Sequence, residues 1–144
     1  MTAAFLLDSW AVLAYLKKES PADERVVALL GEAREGTVHL FISIINLGEI
    51  YYSVGRLRGL NFAEQVLADL RLLPIEILPV DEAAVFAAAR WKMQYPLAYA
   101  DAFAAAAAEQ CQAVLLTGDP ELLVLKDKIK IEKLGRNEPP IYFR

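Results

Sequence analysis

Short apolar runs alternate with helix-length amphipathic stretches along all 144 residues of the chain, and that alternation leaves few folds open. Residues 3–7 (AAFLL), 38–42 (VHLFI), 75–78 (IEIL) and 113–117 (AVLLT) are short and apolar, as strands buried on both faces are. Helices are expected between them. SWAVLAYLKK follows the first strand. Residues 20–36 open with Ser20 as N-cap and Pro21 at the first helical position, and close at Gly36. Ser43 caps a helix running to about Arg58, and Asn61 caps FAEQVLADLRLL, which Pro74 ends. Asp81 opens DEAAVFAAARWKMQ, Pro96 breaks it, another helix spans 99–110, and a short one spans 120–125. KIKIEK (128–133) alternates with period two, the pattern of a half-buried edge strand whose lysines guard against edge pairing. The tail NEPPIYFR reads as extended. Strands alternating with helices imply a three-layer α/β/α sandwich around a parallel sheet of four to five strands, in one domain over 1–144.

Composition closes several classes of function. Hydrophobic residues make up 56% of the chain, which is incompatible with disorder. No apolar run reaches the roughly 18 residues of a membrane span, and the Ala-rich stretch 102–108 is short and flanked by Asp101 and Glu109. No secretion signal is visible, so the cytoplasm is the expected compartment and no membrane partner is expected. The single cysteine, Cys111, makes no internal disulfide and reads as buried filler. With one histidine, His39, a Cys/His zinc site is excluded. The net charge of −4 argues at face value against a polyanionic partner, but an acid excess of that size fits inside one pocket.

Four acids stand in or beside segments that should be core: Asp8 in AAFLLDS, Glu49 in INLGEIYY, Asp101 in LAYADAF and Asp119 in LLTGDPE. Ionised carboxylates are costly there without a positive partner. Each also has a local explanation. Asp8 precedes a helix and suits an N-cap, Asp119 before Pro120 and Glu121 makes a good helix start, and Asp101 complements a helix dipole. Glu49 lies inside a helix among Ile45, Leu47, Ile50 and Tyr52, with Arg56 two turns on as its nearest charged partner at helical spacing, and a surface position remains open. On a parallel sheet, however, all four fall near the C-terminal ends of strands, where ligands collect. Gathered there, they make a site for a hard divalent cation such as Mg²⁺ or Mn²⁺.

In order and context these segments resemble the PIN-domain ribonucleases, most closely the VapC-like toxins of toxin–antitoxin modules. LLDSWAVLAYL is similar to the family's opening strand with its first acid, and SIINLGEIYYSV to the helix carrying its Glu. LAYADAFAAAAAEQ resembles the segment with the third acid, and LLTGDPEL the one with the fourth. The resemblance spans essentially the whole chain. It implies that Asp8, Glu49, Asp101 and Asp119 are the acidic catalytic and metal residues, with Ser9 and Thr117 as supporting hydroxyls; capping or turn hydrogen bonds explain those two hydroxyls equally well. Asn46, three residues before Glu49 on the same helix face, is placed to orient ligands. The last segment departs from the family's frequent T-N-D-x-D-F form, with Glu121 and Leu122 where Asp and Phe are common, which puts a metal role for Glu121 in doubt.

The resemblance implies a metal-dependent endoribonuclease, the toxin of a toxin–antitoxin pair, with RNA as substrate, a cognate antitoxin as partner and a homodimer as assembly. RNA contacts would fall to basic residues around the site: Lys17, Lys18, Arg56 and Arg58, with Arg90 and Lys92 as further candidates; a charge run of this kind is otherwise a solvated face. The alternative is a non-catalytic Mg-binding α/β module, either an interaction domain or a receiver-like phosphoacceptor. A receiver would need an acid adjacent to Asp8 and a lysine at the end of the last core strand, and the sequence has neither.

Overall fold

The computed structural model describes residues 2–137. Its elements are β1 (Ala3–Leu7), α1 (Ser9–Leu16), α2 (Ala22–Glu35), β2 (Val38–Ser43), α3 (Ile44–Arg58), α4 (Leu60–Arg71), β3 (Ile75–Leu78), α5 (Glu82–Gln94), α6 (Tyr99–Gln110), β4 (Val114–Thr117) and β5 (Ile131–Lys133). A 3-10 turn at Leu122–Leu125 stands where a short helix was expected over 120–125. The expected tail 137–144 falls, beyond Asn137, outside the described residues. No described helix is long and apolar enough to cross a membrane.

The five strands of the described residues are all parallel, in the order β3-β2-β1-β4-β5. Side chains on a strand alternate between faces. Leu7 and Leu116 therefore enter one apolar cluster with Val12, Val26, Leu29, Leu47 and Ile50 from α1, α2 and α3. Their neighbours Leu6 and Leu115 enter a second cluster with Ala88 of α5 and the alanines of α6. The sheet is thus covered on both faces, as alternating strands and helices require. In α6 every residue from Asp101 to Ala108 is buried. Small side chains let this helix pack closely against its neighbours, and they carry Asp101 into the interior with it.

Local signals held where nothing distant competed with them. Ser43 accepts the Ile45 N–H (3.2 Å) and Asp81 the Ala84 N–H (2.8 Å), as N-caps do. Two expected caps differ. Ser20 does not cap α2, which starts at Ala22 with no side-chain cap. The backbone here pairs with the segment after β5 instead: Asn137 N–H donates to Ser20 O (2.7 Å) and Ala22 N–H to Gly135 O (3.0 Å). Asn61 lies inside α4, which starts at Leu60. Gly59 takes φ +89° and ψ 168°, a conformation reserved for glycine, and turns the chain from α3 into α4 without a linker. The expected edge strand over 128–133 is paired only at Ile131–Lys133; it does form the sheet edge, and its Glu132 bonds Arg25 of α2 at 2.8 and 3.0 Å.

Candidate metal centre

The strand order reverses between β1 and β4, and this is where open α/β sheets bind ligands. Asp8 follows β1 and Asp119 follows β4 at the same edge. Asp8 is 1% exposed. Its Oδ1 accepts the Ala11 N–H at 2.9 Å, so it does cap α1, while its Oδ2 accepts the Thr117 hydroxyl. Burial pushes its carboxyl up to about 7; the Thr117 and Ala11 bonds work against that shift, and the charges of Asp119 and Glu49 add to it.

Thr117 also accepts the Asp119 N–H at 3.0 Å, and Asp119 Oδ1 accepts the Glu121 N–H at 2.9 Å. The turn after β4 is therefore tied to Asp8 by one fully buried hydroxyl. Asp101, in the first turn of α6, is buried and its carboxylate has no hydrogen bond among the described residues. Burial raises it to about 8, with Asp119, Asp8, Glu49 and Glu121 all contributing repulsion. Two carboxyls raised this far mark a place where a cation would be strongly stabilised.

Glu49 is half-buried in the second turn of α3, and its Oε1 accepts the Ser9 hydroxyl. Arg56 does not pair with it; its guanidinium lies over the Tyr52 ring at 5.0 Å. Asn46 is fully buried and donates Nδ2 to Ala100 O (3.2 Å) and to Ser9 Oγ (3.3 Å). Ser9 Oγ also lies 3.2 Å from Asn46 O. A hydroxyl has one proton, and the Glu49 carboxylate is the stronger acceptor for it. Asn46 thus ties α3 to the starts of α1 and α6, the helices beginning beside Asp8 and Asp101. Among the described residues its Oδ1 has no hydrogen-bond partner.

Oxygens of Asp101, Asp119 and Glu121 lie within 4.8 Å of one another. Asp8 and Glu49 stand outside that trio, with oxygens engaged by Ala11, Thr117 and Ser9. The Asp119-to-Glu121 turn brings in Glu121, the acid whose metal role the departure from the family form had put in doubt. An all-carboxylate set with two raised carboxyls fits a hard divalent cation such as Mg²⁺ or Mn²⁺.

The basic candidates lie away from the acids. Lys17 and Lys18 follow the end of α1, about 13 Å along the helix from Asp8, and Arg56 and Arg58 lie two turns or more beyond Glu49. Lys17 and Arg58 line a groove of about 380 Å³ among Leu13, Leu16, Leu57 and Phe62, with Arg58 stacked on Phe62 at 4.3 Å. On α5, Arg90 sits beside Trp91 and Glu109, and Lys92 Nζ donates to Leu97 O at 2.7 Å. His39 bonds Glu76 at 3.0 Å on the neighbouring strand β3.

The family model for the PIN domain matches residues 5–128. The chain belongs to the PIN-domain family. Solved structures similar to this PIN domain include DNA-bound VapBC from Salmonella typhimurium, at 19% identity and TM-score 0.70, covering 92% of this chain and 98% of that one. VapBC2 from Rickettsia felis, bound to a promoter DNA fragment, gives 19%, 0.67, 90% and 98%. VapC20 from Mycobacterium tuberculosis, described as a sarcin-ricin loop cleaving toxin, gives 17%, 0.65, 83% and 93%. At such identities the likeness carries the fold. No curated protein matches the chain by sequence.

Proposed function

We propose that this PIN domain, acting as one domain over residues 1–144, is a Mg²⁺- or Mn²⁺-dependent endoribonuclease and the toxin of a toxin–antitoxin pair. The observation that carries the proposal is the convergence of Asp8, Glu49, Asp101 and Asp119 on one sheet edge, with two of them pushed up to about 7 and 8 by burial and mutual repulsion. A divalent ion, when bound, polarises a scissile phosphate and lowers the pKa of an attacking water.

The remaining work belongs to the chain. Asp101 and Asp119 would hold the cation, with Glu121 in reach of both. Asp8 would face it with its geometry fixed by Ala11 and Thr117, and Glu49 with its orientation fixed by Ser9. Ser9, Asn46 and Thr117 are positioning residues, since they touch the acids or the elements that carry them. His39 lies out on β2 bonded to Glu76, and Cys111 follows the last turn of α6, so acid–base work at the site falls to carboxylates and water.

Support for a protein partner comes from the solved relatives, VapB–VapC assemblies, and from the apolar groove between α1, α3 and α4, where Leu57 is 69% exposed. In this proposal the groove takes the antitoxin, the active form is a homodimer, and the compartment is the cytoplasm. Incubating labelled RNA with the purified chain tests the enzymatic part. Cleavage with Mn²⁺ that stops with chelator and in Asp101→Asn is the expected result; no cleavage under any divalent ion would favour a binding module.

A further inference from the structure

Glu49 shares its face of α3 with an aromatic ring that the core does not use. Residues three and four apart on a helix are neighbours on one face, and helical side chains lean toward the N-terminus. Tyr52, one turn after Gly48 and Glu49, therefore leans back toward the acid from about 4.5 Å along the axis. It is 50% exposed and enters neither apolar cluster of the sandwich. Tyr51 beside it has a structural place instead: it packs half-buried against the first cluster, and its hydroxyl donates to Glu64 of α4.

Two neighbours shape the space around the Tyr52 ring. Gly48 stands one turn before it, and a Cβ there would meet no atom within 4 Å, the ring included. The helix face between acid and ring is therefore open. From the other side Arg56, one turn further on and exposed, lays its guanidinium over the ring, 5.0 Å from the centroid. Among the described residues Arg56 makes no ion pair, so the contact with the ring is what orients it. A flat ring backed by a guanidinium and fronted by open space accepts another flat group.

That group must also tolerate the acids. A phosphate beside five clustered carboxylates is repelled unless the cation bridges it, whereas a nucleobase carries no net charge and meets no such repulsion. Bases are free to stack on protein rings where the strand is unpaired; in a duplex they are paired and stacked on one another. We propose that Tyr52, backed by Arg56, is the platform on which one base of a single-stranded RNA substrate stacks, close to the scissile phosphate. This rests on the nuclease reading and deepens it, since it makes the substrate single-stranded at the cut. The contact tolerates any sequence, because every base has a π-face.

The experiment measures kcat and KM with Mn²⁺ for the wild-type chain, Tyr52→Ala and Tyr52→Phe. The substrates are a labelled single-stranded oligoribonucleotide with one mapped cleavage site, and a set of the same strand in which each position in turn lacks its base. On the intact strand Tyr52→Ala is expected to lower kcat/KM about 5- to 100-fold, through KM, as the loss of one base–aromatic stack does. Tyr52→Phe keeps the ring and should stay within about twofold of wild type. On the strand that lacks the stacked base, Tyr52→Ala should also stay within about twofold of wild type, because the partner is already gone. Equal losses on every strand make the ring structural and overturn the proposal. An undiminished kcat/KM for Tyr52→Ala on the intact strand overturns it too and leaves the nuclease reading intact. Light scattering tests the other occupant: a change of molar mass in Tyr52→Ala marks the ring as an interface between copies and overturns the base contact. A wild-type chain that cuts no RNA removes both readings.

Discussion

The hydroxyl of Thr117 donates to Oδ2 of Asp8 while accepting the backbone N–H of Asp119. One buried atom therefore holds two acid-bearing turns in register. Thr117→Val should leave the fold intact and lower Mn²⁺ affinity and cleavage about 10- to 100-fold, the usual cost of losing a group that orients a metal ligand. Calorimetric Mn²⁺ titration checks this, and Thr117→Ser should behave as wild type.

Asp101 is buried, repelled by its neighbours and, among the described residues, without a hydrogen bond to its carboxylate. Asp101→Asn should abolish cleavage yet raise the melting temperature in chelator at pH 8 by a few degrees, because a charge that the fold opposes is gone. Differential scanning calorimetry reads the second effect, and a lower melting temperature would refute it.

Asp8 and Asp101 hold their protons in the folded chain up to about 7 and 8, against 3.8 for an ordinary carboxyl. Between those values the folded state binds more protons than the unfolded state, so stability without metal falls as pH rises from about 4 and levels off above 8. A divalent ion should therefore raise the melting temperature more at pH 8 than at pH 5. Melts with Mn²⁺ and with chelator across that range test the sign.

Asn46 makes its two donor bonds where water cannot replace them. Asn46→Ala should cost about 1–3 kcal/mol of stability in urea unfolding, as buried groups left unsatisfied do. It should also weaken Mn²⁺ binding, because Glu49 and Asp101 lose their common tie. Weakened stability with unchanged metal affinity would confine Asn46 to the core.

Gly118→Ala forces the Trp10 ring off its seat. In a Trp91→Phe background, the emission of the single remaining indole should shift to the red, and cleavage should fall as the turn between Thr117 and Asp119 is displaced. An unchanged spectrum would show that the turn, not the ring, gives way.

The sandwich was legible because burial on two faces leaves continuous apolar strands, and Ser43 and Asp81 were legible as caps because their bonds are local. Ser20 and Asn61 misled for the converse reason: distant backbone pairing claimed the first, and the φ of Gly59 started α4 before the second. At the site, Asp101 and Glu49 announced themselves by apolar surroundings. Glu121 was named only through the family form, with its metal role in doubt, since its place depends on a two-residue turn, and Arg56 proved to be a partner of Tyr52. The Ser9–Glu49 and Thr117–Asp8 bonds join residues 40 and 109 apart, and no pattern within one segment encodes such a meeting.

The sheet order gives β1 a neighbour, β4, that is made after four-fifths of the chain, and only their pairing closes the crevice between Asp8 and Asp119. Folding during synthesis proceeds from the N-terminus, so every nascent length short of β4 carries acids without a site. On the nuclease proposal, a polypeptide that cuts RNA would in this way stay inert while it is still being read from one.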